Sequence, residues 1–299
     1  MLDLILASLG INELKLRDPT APIYSIANRL FMSPVPSNPL QLFLDSFNRG
    51  RIGIFLLIGH HVSVLHSFKN GIVSDNKVGI IDPKCDILDC VAKSVQSAHR
   101  VARHHYGPQQ PLPDVATFVV GEVPEQGEKV TFPYISSFLH KILFELLKNS
   151  YRAVVEHHHH RTTIIPISTT TFTTTSSGNP LPDIKIIVCV GKEDITIKVS
   201  DEGGGIPLAH SPLVHSYMFT TASPVTPSIG MMTSSELGSG RDIGPIAGFG
   251  YGIPISSLYA EYLGGKVHVE SMEGWGTDAF VYLNRIGNVV EALHDEEIP

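Results

Sequence analysis

Three polar side chains follow one another along one side of an otherwise apolar segment. Glu145, Asn149 and Arg152 stand at positions i, i+4 and i+7, a spacing that places them on one face of a helix. Together they offer a carboxylate, an amide oxygen and a guanidinium, which supply acceptors, donors and both signs of charge for a polar ligand. An amphipathic helix with a solvated stripe has the same pattern, so this segment alone decides nothing.

A second carboxylate lies where a predicted strand ends. Asp201 is followed by Gly203, Gly204 and Gly205. A carboxylate in this position can accept a hydrogen bond from an exocyclic amine, and glycines let a flat ring approach the backbone. A plain turn after a strand gives the same Asp-x-Gly-x-Gly pattern.

A third motif is the Gly-x-Gly-x-Gly segment from Gly248 to Gly252, ahead of a predicted helix. Such a loop can direct backbone N–H groups and a helix N-terminus at phosphates. Its spacing differs from the dinucleotide-binding fingerprint, and the sequence has no Gly-x-x-x-x-Gly-Lys-[Ser/Thr] phosphate loop.

The elements that must position these motifs can be predicted from periodicity. A central helix is predicted over 134–157, because Leu139, Ile142, Leu143, Leu146 and Leu147 recur at helical spacing. Around it we predict a strand at 116–122, a hairpin at 184–190 and 195–200, a long loop over 208–247, a helix at 255–263 and a closing strand pair at 266–271 and 277–283.

The preceding region reads differently. Helical spacing extends over 40–67 and 85–106, separated by a predicted loop at 70–83. We therefore predict a helical bundle domain over 1–110 and a second domain over 111–299, divided at the Pro-, Gly- and Gln-rich linker 107–113. The His and Thr/Ser run near 157–180 is predicted to be a mobile surface insertion.

Composition narrows the function classes. The chain has 299 residues, 42% of them hydrophobic and 17% charged, which describes a globular protein. Its formal net charge of −7 gives no general electrostatic case for nucleic acid binding. We expect no membrane span, and the three cysteines do not indicate a metal site or a disulfide framework.

The order of the motifs resembles the GHKL ATP-binding fold of gyrase B, heat-shock chaperone ATPases and histidine kinases. The segments FLDSFNRGRIGIFLLIGHH, FELLKNSYRAVVE, SDEGGGIP, MFTTA and GFGYGIPISSLYAEYLGG are similar, more narrowly, to the mitochondrial 2-oxoacid dehydrogenase kinases. This resemblance runs from about residue 40 to 283. It implies an α+β protein, with an N-terminal helical bundle followed by a GHKL-type α/β sandwich that binds ATP.

The resemblance also implies roles. Glu145 would be the general base, Asn149 would ligate Mg²⁺ that bridges the ATP phosphates, and Asp201 would bind the adenine amino group with support from Thr277. Lys148 and Arg152 would lie near the nucleotide. The implied ATP-binding set is Glu145, Leu146, Leu147, Lys148, Asn149, Ser150, Tyr151, Arg152, Asp201, Gly203, Gly205, Thr220, Thr221, Gly248, Phe249, Gly250, Tyr251, Gly252, Ile253 and Thr277.

The chain departs from the pyruvate-type members at one notable position. Those members carry a His four residues before the base, where this chain has Lys141, and His140 is one residue off. We expect an ammonium near Glu145 to favour its ionised form. The chain also begins close to the segment at residue 40, which predicts an incomplete early bundle, and its short acidic tail argues against a C-terminal dimer cross-tail.

The function implied by the resemblance is an ATP- and Mg²⁺-dependent serine kinase that acts on the E1 component of a mitochondrial 2-oxoacid dehydrogenase complex. Pyruvate dehydrogenase is favoured, and the branched-chain complex is the alternative. A histidine protein kinase that uses His60 or His61, and a non-catalytic ATP-binding module, stay open. The implied partners are E1, the lipoyl domain of the E2 core and a second copy of the chain, in the mitochondrial matrix.

Overall fold

The fold combines an open sheet with helices stacked on one of its faces, in a computed structural model that describes residues 39–69, 79–121, 129–164, 181–191, 194–221, 246 and 250–284. Within these residues the chain forms four α-helices, seven β-strands and a short 3₁₀ helix. The predicted α+β class is confirmed.

The main sheet has five strands in the order β2-β4-β5-β7-β6. Their bounds are Val115–Gly121 for β2, Ile184–Val190 for β4, Asp194–Asp201 for β5, Lys266–Met272 for β6 and Gly276–Asn284 for β7. Strands β2 and β4 are parallel, and the other neighbouring pairs are antiparallel. The predicted hairpin and closing strand pair are therefore confirmed to within a residue or two.

Strand β5 places the second carboxylate. Its side chains alternate between the two faces of the sheet, so Ile195, Ile197 and Val199 all point into the core. Asp201 is the next residue in this series and is buried as well. A carboxylate is thus held on the apolar face of the sheet by the register of the strand.

Three helices cover that face: α2 (Ile87–Tyr106), α3 (Ser136–Ile164) and α4 (Gly252–Tyr262). Helix α3 lies in the middle and packs against α2, α4 and β5. Its apolar stripe is fully buried, as the spacing predicts, and comprises Leu139, Ile142, Leu143, Leu146, Leu147, Tyr151, Val154 and Val155. The opposite stripe is left to face the loops that follow β5.

A two-stranded antiparallel ribbon was missed. It pairs β1 (Asp82–Asp86) with β3 (Thr131–Tyr134), so the predictions of loop to 83, of helix from 85 and of a central helix from 134 are wrong at these ends. Helix α2 begins at Ile87 because the Asp86 carboxylate caps it, accepting a hydrogen bond from the backbone N–H of Asp89 at 3.1 Å. Helix α2, which precedes the predicted linker 107–113, packs along α3, which follows it. The domain division at 107–113 stays a prediction.

The predicted mobile insertion is wrong in its first part. Helix α3 continues through His157 and the other histidines to Ile164, because nothing in that stretch breaks a helix: it has no Pro or Gly. The His158 ring lies 3.0 Å from the Val154 carbonyl oxygen one turn earlier. Residues 165–180 lie outside the described part of the chain.

Helix α1 (Pro39–Lys69) precedes the ribbon, and only Asn48 and Ile52 on it are buried. Large apolar side chains such as Phe43 and Leu57 stay exposed. By length and composition it is one helix, among the described residues, that could cross a membrane, which differs from the expectation of no span. One such helix is a weak indication, because helices of soluble proteins pass the same test.

Candidate nucleotide site

A cavity of about 300 Å³ opens between α3, the end of β5 and the start of α4. This volume is at the lower end of the range for small-molecule pockets, roughly 300–1,000 Å³. Fourteen of the residues implied by the sequence line it: Glu145, Leu146, Asn149, Ser150, Arg152, Asp201, Gly203, Gly205, Thr220, Thr221, Gly250, Gly252, Ile253 and Thr277.

Glu145 lies at one end of the cavity and forms an ion pair within its own helix. The Lys148 ammonium is 3.0 Å from Glu145 Oε1, and both side chains are largely shielded from solvent. Lys148 is held there by the Phe144 ring, whose centroid is 4.9 Å from its Nζ. Glu145 Oε2 is the oxygen left toward the cavity and the start of α4.

The expectation that Lys141 supplies the ammonium near Glu145 is wrong. Residue 141 is one turn before Glu145 on the same side of the helix, but its Nζ lies over the Tyr259 ring of α4, 5.7 Å from the ring centroid. His140 Nδ1 is within 3.0 Å of Ser94 Oγ on α2. The cation beside the carboxylate is therefore Lys148, three residues after Glu145.

Asp201 lies at the other end of the cavity and is buried. Its Oδ2 accepts a hydrogen bond from Ser150 Oγ at 2.9 Å, and its Oδ1 accepts one from the Gly203 N–H at 3.0 Å. Burial raises the pKa of Asp201 to about 6, although these bonds and one from the Thr277 N–H oppose the rise. The carboxylate is thus oriented, ionised near pH 7 and poorly solvated.

The cation of the predicted stripe, Arg152, also lines the cavity, two residues after Ser150 on α3. Arg152 Nη2 donates to Thr221 Oγ1 at 3.3 Å, and its Nε lies 3.9 Å from Glu156 Oε2. That Nε is buried and has no hydrogen-bond partner in the described part of the chain. Asn149 lies between Glu145 and Arg152 on the same wall.

The start of α4 closes the cavity over Glu145. A Cβ on Gly252 would stand 2.9 Å from Glu145 Oε2, so a glycine lets the helix N-terminus approach the carboxylate. Gly250 has φ +76°, and a Cβ there would lie 2.4 Å from the Phe219 carbonyl oxygen. Gly250 is therefore required by its backbone conformation and by backbone contacts, and Gly252 stands close to the end of the Glu145 side chain. Gly248 and Phe249 lie outside the described residues.

Four implied residues stand apart from the cavity wall. Leu147 and Tyr151 are buried in the core, and the Tyr151 ring meets His99 on α2 at 6.0 Å between centroids. Lys148 reaches the site only through Glu145. The Tyr251 ring turns toward Tyr217, at 5.4 Å between centroids.

The cavity also has walls that sequence reasoning missed. They include small or apolar side chains that the fold brings in from separate elements: Ala153, Ile206, Val214, Phe219, Ile246, Pro254, Val269 and Ala279. Glu156 and His157 extend the α3 wall by one turn. The i, i+4, i+7 series, continued from Arg152, reaches Glu156 and is the signal that could have found it.

This arrangement fits an adenine nucleotide. A buried carboxylate that accepts hydrogen bonds suits the exocyclic amine of adenine, and apolar strand residues such as Ala279 suit the flat faces of the ring. The Arg152 guanidinium, whose Nε has no hydrogen-bond partner among the described residues, and the N-terminus of α4 offer donors to phosphates. Asn149 supplies an amide oxygen between the two ends.

Two protein families match this chain. The model for the histidine kinase-, DNA gyrase B- and HSP90-like ATPases matches residues 134–286, which include the cavity. The model for mitochondrial branched-chain alpha-ketoacid dehydrogenase kinase matches residues 6–82.

Curated relatives carry kinase names. Pyruvate dehydrogenase (acetyl-transferring) kinase, mitochondrial, of Schizosaccharomyces pombe is 36% identical over 260 residues, which are 86% of this chain and 53% of that protein. Isozyme 4 of Homo sapiens is 36% identical over 86% of this chain and 54% of its own length. The Arabidopsis thaliana kinase is 36% identical over 85% of this chain and 60% of its own.

The chain thus spans a little over half the length of these relatives. The family match covers 153 of its 299 residues, counted from 134 to 286, and it contains the helix, strand and glycine loop that build the cavity. The chain therefore belongs to the histidine kinase-, DNA gyrase B- and HSP90-like ATPase family, and its similarity to mitochondrial pyruvate dehydrogenase kinases extends over 86% of its length.

Proposed function

We propose that the protein is an ATP-dependent protein serine kinase that phosphorylates the E1 component of a mitochondrial 2-oxoacid dehydrogenase complex, with pyruvate dehydrogenase as the favoured complex. We expect this phosphorylation to inactivate E1. The names of the curated relatives support the reaction and the substrate.

The observation that carries this proposal is the placement of two carboxylates at opposite ends of one cavity. Asp201 is buried at the strand end, where the adenine amine would bind, and Glu145 lies beside the helix N-terminus, where the phosphates would end. A serine hydroxyl that enters beside Glu145 would be the phosphate acceptor, because phosphoryl transfer needs the attacking oxygen held near a residue that takes or orients its proton.

The proposed step balances simply. The serine oxygen of E1 bonds to the γ-phosphorus, the bond from that phosphorus to the β,γ-bridging oxygen breaks, and ADP leaves with the bond's electron pair. Glu145 takes or orients the serine proton. The chain's other contribution is positioning and charge: Arg152 and the first N–H groups of α4 would hold phosphate oxygens as charge shifts onto the leaving ADP.

Asn149 fits a role in holding Mg²⁺, because its amide oxygen lines the wall between Glu145 and Arg152. Mg²⁺ usually keeps several waters and binds through one or two protein oxygens plus the substrate phosphates. Bound there, the ion would neutralise charge on the phosphates.

A branched-chain substrate is the second candidate, favoured by one observation. The match over residues 6–82 is to the branched-chain alpha-ketoacid dehydrogenase kinase model, whereas the relatives similar over 86% of the chain are named pyruvate dehydrogenase kinases. The longer similarity favours the pyruvate complex.

The finer parts of the proposal follow from the same relatives, which are named mitochondrial. We propose the mitochondrial matrix as the location, the lipoyl domain of the E2 core as a docking partner, and a homodimer as the working form. The division into a helical part over 1–110 and a kinase part over 111–299 belongs to this proposal too.

The test is transfer of labelled γ-phosphate from Mg²⁺-ATP to purified pyruvate and branched-chain E1, side by side. We expect acid-stable label on serine of pyruvate E1. Acid-labile label on the protein itself would favour the histidine kinase instead, and nucleotide binding without transfer to either E1 would favour a binding module.

A further inference from the structure

Helix α1 is tied to the nucleotide-binding part of the chain by a buried tyrosine. The Tyr217 hydroxyl donates a hydrogen bond to Asp45 Oδ1 at 2.8 Å, and the backbone N–H of Tyr217 donates to Gln41 Oε1 at 3.3 Å. Tyr217 is only 1% exposed, although Asp45 is half-buried. Both bonds join residues more than 170 positions apart in the chain, so they depend on the docking of α1.

A second, more exposed interaction also joins α1 to the rest of the chain, and we call it the outer tie. Arg49 Nη2 lies 3.0 Å from Glu261 Oε2, and these side chains are 29% and 44% exposed. Such a pair is screened by solvent and contributes little to stability. The buried hydroxyl bond is the stronger of the two, because one partner is an ion and the other is shielded from water.

The other side of Tyr217 contacts the glycine loop. Its ring lies 5.4 Å from the Tyr251 ring between centroids, and Tyr251 stands between the two glycines at the cavity wall. The next residue, Met218, donates its N–H to the Gly250 carbonyl oxygen at 3.1 Å. The loop that would cover the phosphates is thus packed on the segment that α1 holds.

We propose that Tyr217 is a positioning residue through which docked helix α1 sets the glycine loop for nucleotide binding. The hydroxyl bond fixes the ring, the ring fixes Tyr251, and Tyr251 fixes Gly250 and Gly252 against the cavity. Since Gly252 lies on the Glu145 carboxylate, a shift of the loop reaches both the nucleotide and the base. The inference rests on the proposed nucleotide site and adds a coupling between that site and α1.

The experiment is a double-mutant cycle on the full chain with Tyr217→Phe and Asp45→Leu, which remove the two ends of one bond. Glu261→Gln is the matched control, because it removes the negative charge of the outer tie of α1 in the last turn of α4, away from the glycine loop. The readouts are the Kd of Mg²⁺-ADP by calorimetry, the KM and kcat for ATP, and the urea midpoint of unfolding.

We expect each single variant to weaken ADP binding about fivefold, the lower end of usual coupling between sites. The double variant should bind no more weakly than either single variant. The KM for ATP should rise with the Kd, and kcat should fall as well, because Gly252 lies on the Glu145 carboxylate. Glu261→Gln should bind ADP within twofold of the unaltered chain.

Unchanged ADP affinity in Tyr217→Phe would overturn the inference, even where unfolding becomes easier, because the residue would then be structural only. Effects that multiply in the double variant would also overturn it. Asp45→Leu alters a half-buried position on the surface of α1, so it keeps the test available if Tyr217→Phe folds poorly. Failure of the unaltered chain to bind ADP would instead overturn the proposed function, and this inference with it.

Discussion

Replacing Asp201 by Asn should weaken nucleotide binding and raise the free energy of unfolding. The buried, ionised carboxylate destabilises the folded chain, but it is also the acceptor that the adenine amine would bind. Burial raises the pKa of Asp201 from 3.8 to about 6. A shift of about two units corresponds to roughly 3 kcal/mol of unfavourable free energy at pH 7. Asn carries no charge, so the substitution removes this cost. Its amide has one acceptor oxygen where the carboxylate has two, so part of the hydrogen bonding from the three donors around Asp201 is lost.

The sign of the pH dependence follows from linkage. The folded chain holds the Asp201 proton more tightly than the unfolded chain does, so the burial cost is full above pH 6 and is relieved as the pH falls through 6 toward 3.8. Asp201→Asn should therefore exceed the unaltered chain in unfolding free energy by about 1–2 kcal/mol at pH 7. That excess should shrink toward pH 4.5.

Urea unfolding of both proteins at pH 7 and pH 4.5 measures the excess, and calorimetry with Mg²⁺-ADP measures binding. Taking the difference between the two proteins removes the contributions of their shared titrating groups. An Asp201→Asn protein that is less stable than the unaltered chain, with the larger deficit at pH 7, would refute the reasoning. Unchanged ADP affinity would refute the role of the carboxylate in binding.

Three further changes probe the rest of the cavity. Ser150→Ala removes a hydrogen bond that lowers the pKa of Asp201, so Asp201 should take up its proton, and the ADP affinity should fall, at a higher pH as the solution is acidified. Calorimetry across pH 5–8 checks this, and coincident curves for the variant and the unaltered chain would contradict it. Gly252→Ala puts a methyl group 2.9 Å from Glu145 Oε2, so we expect kcat to fall at least about tenfold with the urea midpoint little changed; equal kcat would contradict the close contact. Arg152→Ala should weaken ADP binding by about tenfold, the cost of a lost charged hydrogen bond, and equal affinity would show that its buried Nε does not face the phosphates.

Much of the fold could be predicted because local patterns and tertiary packing agree. The apolar stripe of α3 has helical spacing, and Leu139 and Leu143 on it are fully buried. Strands β4 and β5 are rich in β-branched residues and are joined by a short turn, which predicts their hairpin. The series Ile195, Ile197, Val199 also contains the reason that Asp201 is buried, since residue 201 shares its face.

The rest depended on contacts between distant segments. The ribbon of β1 and β3 joins residues 45 to 52 positions apart, and Pro83 and Pro133 within it weaken a strand signal. The ammonium beside Glu145 could not be assigned from spacing alone, because Lys141 and Lys148 both lie within a turn of it. The structure separates them: Phe144 holds Lys148, and Tyr259 on α4 holds Lys141.

The cavity walls were missed for a related reason. Val269 and Ala279 face each other on β6 and β7, whereas Val214 precedes them by more than 50 residues, and each is an ordinary apolar residue within its own segment. Only the sheet order and the packing of α4 beside α3 bring them to one surface.

The central claim is that one cavity both holds ATP through Asp201 and transfers its phosphate beside Glu145. A single-turnover experiment with the unaltered chain and Glu145→Gln, each loaded with labelled Mg²⁺-ATP and mixed with pyruvate E1, tests it most directly. We predict that both proteins retain ATP, and that phosphoserine forms at least about a hundredfold more slowly with Glu145→Gln. Equal rates of phosphoserine formation with the two proteins, or an unaltered chain that does not bind ATP, would contradict the account.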